Sequence, residues 1–146
     1  MAGHVEKQVL FICTGNFYRS RFAEAVFNYL AEARKLSWRA FSRGLAIHWA
    51  EGCISPIVVE GLATRGIERR HTGTTRVQLA AGDFDSSTIR IAMSRAEHLP
   101  MMRSQFPNWA DKIQYWQIED VPKISPEVAL PAIESKVIDL VDHLTS

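Results

Sequence analysis

Residues 9–20 place the tightest constraint on how this chain folds. Val9-Leu10-Phe11-Ile12 is a continuous apolar run, too short for a helix, as expected of a strand buried on both faces. It leads straight into Cys13-Thr14-Gly15-Asn16-Phe17-Tyr18-Arg19-Ser20. Phe22, Val26, Leu30 and Ala33 then recur at i, i+4, i+8 and i+11, with Phe27 widening the stripe, which predicts an amphipathic helix. Strand, loop and helix in immediate succession form a βα unit. In open α/β sheets, ligands bind beyond the carboxyl ends of the strands, where such loops lie.

The remainder continues the alternation. Trp38 to Phe41 reads as a second strand, Ser55-Pro56 as the cap of a helix running to Arg65, and Gly66 as its stop signal. Thr88 to Met93 reads as a third strand, with Arg90 an awkward occupant, and Lys112 to Gln117 as a fourth. Ser94-Arg95-Ala96-Glu97 has the form of a capping box opening a helix that Pro100 should kink. A last helix is expected from about Pro131, with Ile133, Val137, Leu140, Val141 and Leu144 as its apolar stripe. Alternation of this kind predicts an α/β fold in three layers, a four-stranded parallel sheet with helices on both faces. The 146 residues suffice for one such domain spanning 1–146.

The loop carries the chemistry. Five residues separate Cys13 from Arg19, and a helix begins at once. A loop of that length can curl so that successive backbone N–H groups converge on an anion, with the positive end of the helix dipole behind them. Arg19 adds a planar fork matched to two phosphate oxygens, and Gly15 and Asn16 tolerate the left-handed backbone such a curl demands. Thr14, Gly15, Asn16, Phe17, Tyr18, Arg19 and Ser20 are therefore the candidate phosphate-binding residues. Helix N-termini and neighbouring cations lower cysteine pKa values from about 8.5 to about 3.5–7.5. Cys13 at such a place is the candidate nucleophile, Arg19 stabilises the equatorial oxygens, and Ser20 can hydrogen-bond the sulfur. No step calls for a metal or a cofactor.

Composition narrows the setting. With 47% apolar and 23% charged residues the chain is globular, and its formal charge of +1 gives no general attraction to nucleic acid or membrane. Two cysteines, Cys13 and Cys53, are too few for a disulfide-stapled secreted domain. There is no signal-peptide pattern and no run near the ~20 apolar residues of a membrane span, so a reducing cytoplasm is expected. Nucleotide-binding glycine loops and zinc-ligand spacings are absent from the sequence.

The stretch VLFICTGNFYRSRFAEAVF closely resembles the low-molecular-weight protein tyrosine phosphatases, whose signature is V-L-F-V-C-x-G-N-x-x-R-S-P-x-A-E-A. The likeness recurs in order at Ser42, at Gly66-Ile67 followed by His71, and from Asp83-Phe84 to Met93. It implies a flavodoxin-like fold and phosphomonoester hydrolysis through a phosphocysteine, with a phosphorylated substrate such as a phosphotyrosyl protein. It also implies a hydrogen-bond network supporting the loop, made here by Asn16, Ser20, Ser42 and His71. The family's general acid is an Asp before a Pro. Ile118-Glu119-Asp120-Val121-Pro122 is similar with one residue inserted, which assigns Asp120, with Glu119 as the alternative. Such an acid is worth about 10²–10⁴ in rate.

Several positions depart from the pattern. Tyr18 stands where relatives often have a second loop cysteine, and Arg21 replaces a proline, adding positive charge beside the pocket. Phe17, Tyr18, His48 and Trp49 are the candidate substrate groove. Cys53 reads as a buried or idle thiol, and Arg65, Arg69, Arg70 and Arg76 as a solvated face or else an anion-attracting mouth. Two other functions remain open at this point: an arsenate reductase, which lacks its further closely spaced cysteines, and an oxyanion- or phosphopeptide-binding module. Phosphoarginine is a further candidate substrate, disfavoured because relatives with that activity carry a small polar residue where Phe17 stands.

Overall fold

The computed structural model describes residues 7–145. Strands β1 (Lys7–Cys13), β2 (Trp38–Gly44), β3 (Ile89–Ala92) and β4 (Gln114–Tyr115) form one parallel sheet in the order β2-β1-β3-β4. The helices are α1 (Arg19–Ala33), α2 (Pro56–Ala63), α3 (Ala81–Ser86), α4 (Arg95–Gln105) and α5 (Pro126–Thr145). Side chains of β1 alternate between two cores. Val9, Phe11 and Cys13 pack with Phe22, Val58, Leu62, Ile133 and Val137 of α1, α2 and α5. Leu10 and Ile12 pack with Phe84, Leu99 and Met102 of α3 and α4. This is the three-layer arrangement the alternation predicts, and the apolar run at 9–12 is buried on both sides for that reason.

After β1 the chain crosses to one side to make β2 and later to the other to make β3. The carboxyl end of β1 is thus the switch point where the crossovers diverge and leave a crevice. Cys13 is the last residue of that strand.

Boundaries differ from the sequence reading in instructive ways. The last helix begins at Pro126, not near Pro131, because a proline at the first helical position gives up an N–H that has no partner there anyway. Helix α4 runs on through Pro100. Ala33 is exposed, and Ala31 fills the core in its place. β4 is only two residues long, pairing Gln114 with Ile91 and Tyr115 with Ala92. Helix α3 had no apolar periodicity to betray it, although the Asp83 carboxylate accepts from the Ala80 N–H at its start. Arg90 is accommodated in β3 by donating to the carbonyls of Phe84 and Ser87 while lying 4.5 Å over the Trp109 ring.

Candidate active site

The loop between β1 and α1 turns its carbonyls away from its centre. Cys13 O accepts from Leu45 N (3.0 Å), Thr14 O from Ala46 N (2.8 Å), Phe17 O from Ser55 N (2.9 Å) and Tyr18 O from Phe22 N (3.0 Å). Gly15 O accepts from Arg76 (3.2 Å) and Asn16 O from Arg21 (3.3 Å). In a trans peptide the carbonyl of one residue and the N–H of the next point opposite ways. Six outward carbonyls in a row therefore leave the N–H groups of residues 14–19 facing the other side. No hydrogen bond among the described residues uses the amides of residues 14–18.

Glycine and asparagine serve this turn differently from expectation. Asn16 has φ 52, the left-handed conformation that its side chain makes tolerable. Gly15 is not left-handed; a Cβ there would stand 3.2 Å from the Ala50 Cβ. Gly44, which the sequence reading passed over, is the stricter requirement. A Cβ on it would lie 2.7 Å from Thr14 O and 2.8 Å from Asn16 N, so only glycine lets β2 back the loop.

A chain of side-chain bonds runs behind the loop to Cys13, which is buried. Asn16 Nδ2 donates to Ser20 Oγ (3.0 Å) and Ser42 Oγ (2.9 Å), while its Oδ1 accepts from Val77 N. With that bond accepted, the Ser20 hydroxyl proton is free to point at Cys13 Sγ, 2.9 Å away. Ser42 and Thr72 both donate to Glu24 Oε1 at 2.7 Å, and Thr72 Oγ1 accepts from Arg21 Nε at 2.7 Å. The expected fourth member, His71, is not in the chain. Its ring packs edge-on to Tyr29, its buried Nδ1 has no partner among the described residues, and its backbone bonds to Glu68 O and to the Asn28 side chain. Thr72 and Glu24 reach Ser42 from the same side and occupy the place assigned to it.

Glu24 is nearly buried, and burial lifts its carboxyl from the ordinary 4.5 to about 7 against the bonds from Ser42 and Thr72. A raised folded-state pKa means the folded chain holds more protons than the unfolded one between these values. Glu24 thus contributes stability that is full below pH ~4.5 and lost as pH rises through ~7. The swing is about 3 kcal/mol at most. Thermal melts across this range should fall more steeply with pH in wild type than in Glu24→Gln. Parallel curves would contradict the buried-acid assignment.

Arg19 sits at the opening of α1, 2% exposed. Its Nη1 donates to Ile118 O (2.9 Å) and its Nη2 to Glu97 Oε2 (2.8 Å), with Asp120 Oδ2 3.5 Å from Nη2. Thr14 Oγ1 also donates to Glu97 and contacts His98 Nε2 at 3.0 Å. Burial works to raise the Glu97 carboxyl, but hydrogen bonds with His98, Arg19 and Thr14 outweigh it and hold it well below the usual carboxylate range. Burial pushes His98 toward its neutral form. Neither Glu97 nor His98 was singled out in the sequence except as part of a capping signal.

A cavity of about 410 Å³ opens over Cys13, bounded by the loop, by Trp49–Glu51 and by Asp120 and Val121. Phe17, Tyr18 and Trp49 line it as expected, and burial, then the Asp120 charge, raises the Tyr18 phenol. His48 does not line it; it packs edge-on behind Trp49. Asp120 faces the cavity, whereas Glu119 turns away to Ser94 Oγ (2.9 Å) and toward Lys123.

The arginines also differ from expectation. Arg21 adds no charge to the mouth. Fully buried, it reaches the carbonyls of Asn16, Cys53, Thr72 and Gly73 behind the loop. Arg76 likewise turns inward onto the carbonyls of Gly15, Ile47, Ala50 and Gly52. Arg65 pairs with Glu134, and Arg70 with Glu32 and Glu68, so neither is an anion-attracting group at the mouth. Cys53 is exposed, not buried.

Residues 8–128 match the sequence model of the low molecular weight phosphotyrosine protein phosphatases. The protein-arginine-phosphatase of Bacillus subtilis (strain 168) is 31% identical over 105 residues, covering 72% of this chain and 67% of that protein. The crystal structure of a low molecular weight protein tyrosine phosphatase from T. tengcongensis is 29% identical with a TM-score of 0.74, covering 95% of this chain and 97% of that one. Bacillus subtilis YfkJ superposes with a TM-score of 0.84 at 25% identity, over 99% and 98% of the two chains.

Proposed function

The chain belongs to the low molecular weight phosphotyrosine protein phosphatase family and is a cysteine-dependent phosphatase, and from that premise we propose that Cys13, Arg19 and Asp120 carry its reaction on phosphotyrosyl proteins. The observation that supports this best is the set of amides at residues 14–18, unused by any hydrogen bond among the described residues while the loop carbonyls turn outward. They and Arg19 bind the three non-bridging phosphate oxygens. The Cys13 thiolate forms the S–P bond as the P–O bond to the leaving group breaks, and Asp120 gives that oxygen its proton. Asp120 then takes a proton from water as the water oxygen attacks phosphorus. The S–P bond breaks, phosphate leaves and the thiolate is restored, with the Ser20 hydroxyl steadying it as leaving group.

The aromatic wall of Phe17, Tyr18 and Trp49 suits a flat phosphorylated ring. Phosphoarginine is the second reading, because a relative at 31% identity is a protein-arginine-phosphatase; Phe17 speaks against it. Competition between phosphotyrosyl and phosphoarginyl peptides of one sequence separates the two. No helix among the described residues is long and apolar enough to cross a membrane, and a reducing cytoplasm suits a reaction that needs a free thiol.

Turnover of p-nitrophenyl phosphate should persist in a chelator. Asp120→Asn should lower kcat by roughly 10²–10⁴, with the larger loss on poorer leaving groups such as phenyl phosphate. Glu119→Gln should stay near wild type. Wild-type rates in Asp120→Asn with a collapse in Glu119→Gln would move the acid role to Glu119.

A further inference from the structure

We propose that Glu97 is a positioning residue for this reaction, holding the Arg19 guanidinium in the plane from which it meets the phosphate. The inference rests on the reading that Arg19 binds the reacting group. It begins from a motif that the structure uses only in part. Ser94-Arg95-Ala96-Glu97 should send the Glu97 carboxylate back to the Ser94 N–H as a capping box does. Ser94 Oγ does accept from Glu97 N (3.2 Å), but the Ser94 N–H donates to His98 Nδ1 (3.0 Å) instead. With that amide satisfied, the carboxylate is released to reach across to Arg19.

The same bond fixes every proton around it. A backbone N–H can only donate, so His98 Nδ1 is the bare nitrogen and Nε2 carries the hydrogen. His98 is fully buried and neutral, and its Nε2–H points at Thr14 Oγ1 (3.0 Å) and Glu97 Oε2 (3.2 Å). The Thr14 hydroxyl, accepting there, donates to Glu97. Glu97 is thus held by two residues besides the arginine it holds, and one of them, Thr14, is the first residue of the phosphate loop.

The donor count of Arg19 agrees with this role. A guanidinium has five N–H donors. One goes to Ile118 O and one to Glu97 Oε2. The other three make no hydrogen bond among the described residues, although Asp120 Oδ2 lies 3.5 Å from Nη2. The two anchors restrain rotation about the side-chain axis without consuming the donors a bidentate phosphate contact needs. Misplacement of a catalytic group by about 1 Å can cost 10²-fold in rate.

The test is a double-mutant cycle on kcat with p-nitrophenyl phosphate. Glu97→Ala, which removes the acceptor, should lower kcat about 10²-fold, and Glu97→Gln, which restores an acceptor without charge, should recover part of the loss. In an Arg19→Ala background the Glu97→Ala loss should vanish, because the group it orients is gone. Equal losses in both backgrounds, or a Glu97→Ala enzyme as fast as wild type, would overturn the proposal. Should Glu97→Ala fail to fold, Thr14→Val removes one of the two restraints on Glu97, and its loss must likewise disappear with Arg19. An active wild type with additive losses sinks the positioning role alone. An Arg19→Ala enzyme as active as wild type would instead bring down the reading beneath it.

Discussion

Cys13→Ser should lose p-nitrophenyl phosphate turnover almost completely, on the order of the 10⁶-fold in kcat that loss of a nucleophile costs other covalent hydrolases. A serine hydroxyl is a much weaker nucleophile than a cysteine sulfur and needs a base to activate it. Among the described residues, no base is hydrogen-bonded to the sulfur. Its hydrogen-bond partner is the Ser20 hydroxyl, itself bonded by Asn16, and the nearby His98 is committed to Ser94 and Thr14. The swap is nearly isosteric in a buried position, so the melting temperature should hold and inorganic phosphate should still bind to the loop amides. Calorimetry with phosphate, run beside the kinetic assay, separates a dead nucleophile from a collapsed loop. Cys53→Ser should have no effect on rate. If Cys13→Ser kept more than about 1% of wild-type turnover, against the expected 10⁶-fold loss, the nucleophile would have to be sought elsewhere.

What could be read from the sequence was what is local. The strand at 9–12, the loop and the start of α1 are contiguous, and their periods change where the structure changes. The placement of Asp120 and Glu119 is set by a turn that sends Glu119 to Ser94 and Asp120 to the cavity. What failed was partner choice across the fold. His71 was expected behind the loop by position, yet Thr72 beside it makes the contact with Glu24. Arg21 was expected at the mouth because it follows Arg19 and Ser20. Two residues of helix add about 200° of rotation from Arg19, and that carries Arg21 to the opposite side, where it is buried. A charged residue at an inward helical position was the available signal, together with a run of carbonyls that needed donors. Glu97 was hidden inside a capping signal that explained it too well.

Arg21 and Arg76 make sense of the loop as an electrostatic object. Converging six amides on one point leaves six carbonyls diverging from it, and buried carbonyls need donors. Arg21 and Arg76 supply them from behind, each to several carbonyls at once, including those of Asn16 and Gly15. They also hold the 47–53 segment that forms one wall of the cavity. Burial lowers the pKa of Arg21, with Glu24 opposing the shift from 3.8 Å. Among the described residues, Arg21 and Arg76 therefore hold the loop and its wall from outside, whereas Arg19 pairs with Glu97 and Asp120 on the cavity side.

That division gives Arg19→Ala the second large effect. Removing an arginine that stabilises a transferring phosphoryl group costs about 10³–10⁵ in kcat in other phosphoryl-transfer enzymes. The loss here should fall in that range, with KM rising as well because the same fork binds the ground-state dianion. Arg19→Lys keeps the charge but not the planar pair of donors and should fall between the two. A structural explanation predicts something different. Arg19 is buried and anchors to Ile118 O, so if it served only to pin the segment before Asp120, both variants would lower the melting temperature and lose activity together. Under the proposed role, Arg19→Lys retains a near-wild-type melt while its kcat drops. The deficit should also grow from p-nitrophenyl phosphate to inorganic phosphate exchange no more than Asp120 demands, since Arg19 acts on the phosphoryl oxygens and not on the leaving group. An Arg19→Lys enzyme with unchanged kcat would show that the fork is not what meets the phosphate.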